Sequence, residues 1–276
     1  EWIVEPNFVK KIEKGDLDGI RKCLNCNYCI GKRIFAQMPL RCTFNPIAGR
    51  ESRFPKGSVG KAEVKKNVAI IGAGPAGLEA AYIAGQRGHS VTVYEASDRL
   101  CGGQLRMASS SPCKDILQHV PEFFKVQLER MDNVEIKLNT PVTESNVGDL
   151  NADYVLLATG ATPLVLPIPG IEKAKIAQDV LLHKAEVSGN VVICGGGQVG
   201  VETALELLER GHKVSIVEML PDLILKEELM TRIVMMKKLA DAEVPVYCRH
   251  KVSRFTDGAV EIEDMQTGEK KLLACG

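Results

Sequence analysis

Aromatic residues are scarce in this 276-residue chain, at 5% with a single tryptophan, and no basic tract is interleaved with them. The stacking platforms and phosphate-tracking stripes of nucleic-acid binders are therefore missing. Charge of one sign is lacking too. The 35 basic and 35 acidic residues cancel, which removes the net field that draws a protein to polynucleotides or anionic membranes. No apolar run approaches the roughly 18 residues of a membrane span, and the opening EWIVEPNF is acidic where a secretory signal would be basic. These absences predict no nucleic-acid partner, no membrane and, by default, a cytoplasmic location. What is left is ordinary globular composition, 45% hydrophobic and 25% charged, enough for about two domains.

The most informative stretch is 67–95, NVAIIGAGPAGLEAAYIAGQRGHSVTVYE. Residues 68–71 form a short apolar run that enters Gly72-Ala73-Gly74-Pro75-Ala76-Gly77, as a buried parallel strand entering a tight turn does. Each glycine has a separate task. Gly72 allows the turn, Gly74 lets the backbone approach a pyrophosphate, and Gly77 lets the next helix pack close to the strand. The diphosphate then lies at the helix N-terminus, where free N–H groups point at it. Residues 78–88 suit that helix, with Ala80, Ala81 and Ala84 for close packing and Gly88 as its stop. Ser90–Tyr94 is rich in β-branched residues and delivers Glu95, placed to accept hydrogen bonds from a ribose.

The same pattern recurs 123 residues later. Segment 190–223, NVVICGGGQVGVETALELLERGHKVSIVEMLPDL, aligns with 67–100 without a gap and matches it at 14 of 34 positions. Gly195, Gly197 and Gly200 repeat the glycines, Gln198 and Val199 stand where Pro75 and Ala76 do, and Glu218 repeats the acid. Two nucleotide-binding units imply two nucleotides. An oxidoreductase that passes a hydride from a nicotinamide to a flavin needs that pairing. Glu218 accepts from both hydroxyls of an adenosine ribose but repels a 2′-phosphate, which favours NADH over NADPH. Lys213 or Lys226 would override that preference only by pairing with the phosphate.

Cysteine, by contrast, is plentiful: nine residues, four of them clustered near the start. Cys23, Cys26 and Cys29 lie in a C-x-x-C-x-x-C run, and after twelve intervening residues comes Cys42. Zinc sites pair their cysteines two and two; a three-plus-one arrangement suits a [4Fe–4S] cluster held by four thiolates. Structural zinc and unligated thiols stay open as alternatives. Cys101, Cys113, Cys194, Cys248 and Cys275 show no C-x-x-C pairing, so a redox-active disulfide is not expected.

Elsewhere the pattern is coarser. Residues 1–22 suggest an amphipathic helix with a turn at Gly15 but hold too few apolar side chains for a core. Lys56, Gly57, Gly60, Lys61, Lys65 and Lys66 read as a solvated linker. Segment 116–131 reads as a helix with Leu117, Val120, Phe124 and Leu128 facing the core. Strands are expected at 134–138 and 154–158, the second fully apolar and ending in Thr159-Gly160, and Pro163, Pro167, Pro169 and Gly170 mark a stiff crossover. His119 and His183 have no acid or cysteine neighbour in sequence and read as surface or core histidines. A helix is expected over 223–239, strands over 244–247 and 252–255, and a hairpin from Ala259–Asp264 to 270–273.

IEKGDLDGIRKCLNCNYCI followed by CTFNPIAGRE resembles the segment after the flavin barrel in the Old Yellow Enzyme-type NADH:flavin oxidoreductases, such as 2,4-dienoyl-CoA reductase, 2-enoate reductase and trimethylamine dehydrogenase. GAGPAGLEAA, Cys101-Gly102-Gly103-Gln104-Leu105, Ala158-Thr159-Gly160-Ala161 and GGGQVGVETA are similar to the same enzymes. The resemblance implies an α/β protein with two Rossmann-like βαβ nucleotide-binding units of the disulfide-reductase type, preceded by a small iron–sulfur cysteine segment. The divisions expected are 1–60 for the barrel end and cluster, 61–165 for FAD or ADP, and 166–276 for NAD(H), the last incomplete. It further implies a preceding FMN-bearing TIM barrel, in the same or a companion chain, with the cluster carrying single electrons between FMN and an FAD that NADH reduces. In the trimethylamine dehydrogenase layout electrons run the other way and the first site holds only ADP. A third reading is a nucleotide-binding scaffold, with zinc at the cysteines, that carries no electrons.

The expected contacts to the first nucleotide are Gly72, Gly74, Pro75, Ala76, Gly77, Glu95, Gly103, Gln104, Leu105, Thr159 and Gly160. Those to NAD(H) are Gly195, Gly197, Gln198, Val199, Gly200 and Glu218, and those to the cluster Cys23, Cys26, Cys29 and Cys42. No catalytic residue is identified, the substrate is unnamed, and homo-oligomer formation is left open.

Overall fold

Each copy of the repeat folds as strand, helix and parallel strand, and each is the centre of its own compact unit in the computed structural model. One unit comprises 1–109 and 116–161, the other 110–115 and 162–276. The structure describes residues 1–54, 59–111 and 114–276; Lys56 and Gly57 of the expected linker, and Cys113, fall outside that range.

In the first unit, α1 (Phe8–Glu13) is a short helix and Tyr28–Ile34 a π-helical segment around Cys29. The repeat follows as β1 (Asn67–Ile71), α2 (Pro75–Arg87) and β2 (Ser90–Tyr94). Pro75 opens α2, where its missing N–H costs nothing. Gly88 closes it in the left-handed region at φ 90°, its N–H returning to Ala84 and Gly85. Then come α3 (Gln104–Ser109), α4 (His119–Glu129), β3 (Val134–Lys137) and β4 (Tyr154–Leu157). The sheet is parallel, in the order β3-β2-β1-β4. α2 and α4 bury Leu78, Ala81, Val120, Phe123, Phe124 and Leu128 in one core with Ile70, Val91 and Val93. Burying each large side chain contributes about 1.5–3 kcal/mol.

Three expectations change here. Residues 1–22 do contribute to a core: Val4 is buried with the side chains of α2 and α4, beside Leu24 and Phe44 of the following segment, and Phe44 packs edge-on against both Phe123 and Phe124. The expected helix over 116–131 starts as a single 3₁₀ turn, Asp115–Gln118, before α4. Strand β4 forms, but at the sheet edge, and Leu157 is 72% exposed.

In the second unit, α5 (Ala177–Leu181) precedes the repeat β5 (Asn190–Cys194), α6 (Gln198–Glu209) and β6 (Lys213–Glu218). α7 (Leu229–Asp241) and β7 (Val246–Cys248) complete a parallel sheet ordered β5-β6-β7. β8 (His250–Thr256), β9 (Ala259–Asp264) and β10 (Lys270–Ala274) form a separate antiparallel meander. The helix expected from 223 begins only at Leu229. Leu223 and Ile224 are buried beside the glycine loop instead, Ile224 donating its N–H to Gly196. The buried Glu228 then caps the helix, accepting from the N–H of Thr231 at 2.9 Å. Among the described residues no helix is long and apolar enough to cross a membrane.

Candidate nucleotide cradles and cysteine cage

The two glycine loops are built alike. Gly72 and Gly195 take φ values of 106° and 110°, a region that L side chains rarely enter. A Cβ at Gly77 would lie 1.9 Å from the carbonyl oxygen of Gly72, and one at Gly200 would lie 1.9 Å from that of Gly195. Only glycine lets helix and strand approach so closely. At Gly74 and Gly197 the space where a Cβ would stand meets nothing within 4 Å, so no protein contact demands glycine there. The room lies at the N-termini of α2 and α6, where the helix dipole favours an anion.

Both acids close their loops. Glu95 accepts from the N–H of Ala73 at 2.7 Å and from the N–H and hydroxyl of Ser97 at 2.9 and 2.8 Å. Glu218 accepts from the N–H of Gly196 at 2.6 Å and that of Leu220 at 2.8 Å. Part burial pushes the Glu95 carboxyl up, but the hydrogen bonds from Ala73, Ser97 and Ala96 outweigh it and hold the group below the ordinary glutamate value. Each carboxylate thus ties the glycine turn to the end of the second strand, a role the sequence did not disclose beside the expected ribose contact.

The other expected contacts of the first cradle have varied settings. Gly103 and Gly160 meet no neighbour that a Cβ would strike, Gly160 having φ 77°. Gln104 donates to the carbonyl of Ala161 at 3.1 Å, and Leu105 packs against the core from α3. Thr159 follows β4, with its Cα beside Gly72.

Cys23, Cys26, Cys29 and Cys42 are all free thiols. Asn25 and Asn27, between the first three, adopt φ values of 50° and 56°, so the chain wraps instead of running straight, as in the backbone nests around iron–sulfur sites. Burial pushes the Cys29 thiol up, and Cys26, Cys42 and Cys23 add to the push. The other three thus lie within electrostatic reach of Cys29. Among the described residues no group of three His, Cys, Asp or Glu is close enough to hold a single metal ion. The donor set is soft and of the number a four-iron cluster takes.

Among the described residues no cysteine is in a disulfide. Burial raises the Cys101 thiol to about 12, leaving it protonated at neutral pH and unsuited to thiol–disulfide exchange. His119, expected without a partner, pairs with Glu122 three residues on in α4, at 3.0 Å. His183 lies 3.3 Å from Arg210. Sequence reasoning also missed Glu202, a buried side chain of α6 that pairs with Lys114 and accepts from Ser111 at 3.4 Å.

Residues 66–276 match the sequence profile described as pyridine nucleotide-disulphide oxidoreductase. The chain belongs to that family. An NADH oxidase of Thermoanaerobacter brockii is 42% identical over 243 residues, covering 86% of this chain and 37% of that protein. A cinnamate reductase of Clostridium sporogenes is 39% identical over 223 residues, 80% of this chain and 33% of the relative. The solved complex of 2-naphthoyl-CoA reductase with 2-naphthoyl-CoA superposes with a TM-score of 0.91 at 27% identity, over 99% of this chain and 41% of that one. This chain thus spans roughly a third of the length of those curated relatives. The match bears out the resemblance to Old Yellow Enzyme-type oxidoreductases and the α/β fold with nucleotide-binding units of the disulfide-reductase kind.

Proposed function

We propose that this chain is the electron-transfer portion of an NADH-dependent flavin and iron–sulfur oxidoreductase. FAD is held by the first cradle, NADH by the second, and a [4Fe–4S] cluster by Cys23, Cys26, Cys29 and Cys42. The supporting observation is the duplication of one cradle in detail: matching φ at Gly72 and Gly195, matching 1.9 Å approaches at Gly77 and Gly200, and matching acid-to-loop bonds from Glu95 and Glu218. Two such cradles call for two nucleotides.

When bound, a flavin exchanges two electrons on one side and one on the other, and an iron–sulfur cluster takes them singly. The chain's own residues supply the settings. Gly74, Pro75, Ala76 and Gly77 present the open end of α2 to a diphosphate; Gly197, Gln198, Val199 and Gly200 do the same at α6. Glu218 accepts from ribose hydroxyls and disfavours a 2′-phosphate, so NADH is preferred. Gly103, Gln104, Leu105, Thr159 and Gly160 complete the first site. A TIM barrel holding FMN, for which the longer relatives have room, would take the electrons that this chain delivers and would supply the substrate site.

Anaerobic purification followed by an absorption spectrum, metal analysis and nucleotide extraction tests this. Released FAD with roughly four irons per chain and bleaching on NADH addition is the expected result. Iron with ADP alone would turn the reading to an amine dehydrogenase of the trimethylamine type. Zinc without colour would leave a scaffold.

A further inference from the structure

The repeat carries a glutamate two residues beyond its third glycine in both copies, Glu79 and Glu202. A carboxylate there lies on a helix face against the protein, and Glu202 is paired with Lys114 from outside its repeat. Glu79 also has a partner from outside, and that partner lies two residues before Cys23. Arg21 is 6% exposed, and its guanidinium is 3.3 Å from the Glu79 carboxylate. The same group donates to the main-chain carbonyl of Phe44, two residues after Cys42. Around it stand three rings: Phe123 at 4.5 Å, Phe44 at 5.0 Å and Tyr82 at 5.7 Å from its carbon.

One planar cation therefore touches the loop of Cys42, helix α2 of the first cradle and helix α4, while its own backbone leads into Cys23. Its N–H donates to the buried Glu5, which Lys11 pairs at 2.5 Å, so the charges around it are balanced from the N-terminal segment as well. The second carboxylate oxygen of Glu79 is buried with no hydrogen-bond partner among the described residues. Glu79 is partly buried, and burial pushes its carboxyl up while the Arg21 guanidinium pulls it down, so the Arg21 contact is the one that holds its charge in place. Lysine reproduces the charge but not the fork, because it offers a point donor where guanidinium offers a planar set.

We infer that Arg21 and Glu79 are positioning residues for the cysteine cage, together pinning the Cys42 loop to the helix that opens the first nucleotide cradle. The inference rests on the cluster assignment only for its electronic consequence. The pin itself exists in metal-free protein, which makes the two separable.

The test uses the whole chain with Arg21→Lys and Glu79→Gln, each prepared metal-free and anaerobically reconstituted. In metal-free protein both variants are expected to speed amide hydrogen exchange over 42–48 by about tenfold, while β1 and β2 exchange as in the parent. In reconstituted protein iron and sulfide per chain stay near the parent level, but the midpoint potential and paramagnetic resonance line shape of the reduced cluster change. Unaltered exchange over 42–48 in both variants would overturn the pin. Altered exchange with an unaltered potential and line shape would overturn its role toward the cluster. Parent protein that takes up no iron would sink the cluster assignment alone and leave the exchange result to judge the pin.

Discussion

At the scale of single residues, the tightest constraint is the absence of a side chain at Gly77 and Gly200. An alanine methyl there would stand 1.9 Å from a carbonyl oxygen of the preceding loop, and both neighbours are backbone that cannot step aside. Gly77→Ala is expected to lower nucleotide retention in the first cradle by at least about tenfold while Gly200→Ala spares it, which extraction and quantitation of bound FAD would check. The acids act on the same loops. Because the Glu95 carboxyl is held below its ordinary value of 4.5 in the folded chain, its ionised form stabilises the fold above that pH, and the contribution is lost as pH falls through the folded value. Urea unfolding below about pH 4.5 should therefore show a smaller loss of stability for Glu95→Gln than for the parent. An equal slope for the two would mean that the carboxylate bonds to Ala73 and Ser97 contribute nothing.

Helix entry is decided at the scale of the element. α2 and α6 both begin directly after a glycine with no side-chain cap, leaving their first N–H groups for a ligand. α7 is capped instead by Glu228, which accepts from Thr231 at 2.9 Å. Replacing Glu228 by alanine is expected to cost about 1 kcal/mol, read as a lower urea midpoint with an unchanged slope. The contrast follows from where each helix starts: the two glycine-opened helices follow the loops that would cradle phosphate, and the capped one does not. The π-helical segment Tyr28–Ile34 has the same bearing on the cysteines. An ordinary helix places residues three apart on neighbouring faces of one surface, whereas the left-handed turns at Asn25 and Asn27 break that path between Cys23 and Cys29.

For the whole molecule, two cradles with unlike neighbours imply division of labour. Glu218 ends β6 with its carboxylate already bonded to Gly196 and Leu220, so a ribose 2′-phosphate would approach a fixed negative charge. NADH is expected to bind roughly tenfold or more tightly than NADPH, measured by titration under anaerobic conditions. Cys42→Ser is expected to lower iron content without lowering nucleotide content, because the two sites are built from separate parts of the chain. The family is named for disulfide chemistry, yet the described cysteines form no disulfide and Cys101 is held as a thiol at neutral pH.

What the amino-acid order determined by itself is local: the strand, glycine turn, helix and acid of each repeat, the register between copies, and the cysteine spacing. A left-handed φ at Gly72 or a close approach at Gly77 depends on residues a few positions away, so a motif can carry it. Tertiary structure alone decided the rest. Arg21 and Glu79 are 58 positions apart, β4 is a strand by composition but an edge by topology, and Leu223 and Ile224 left helix α7 because burial beside Gly196 outweighed their helical propensity. No period or spacing records such partners, since a charge or an apolar side chain only acquires one when distant segments pack into the same core.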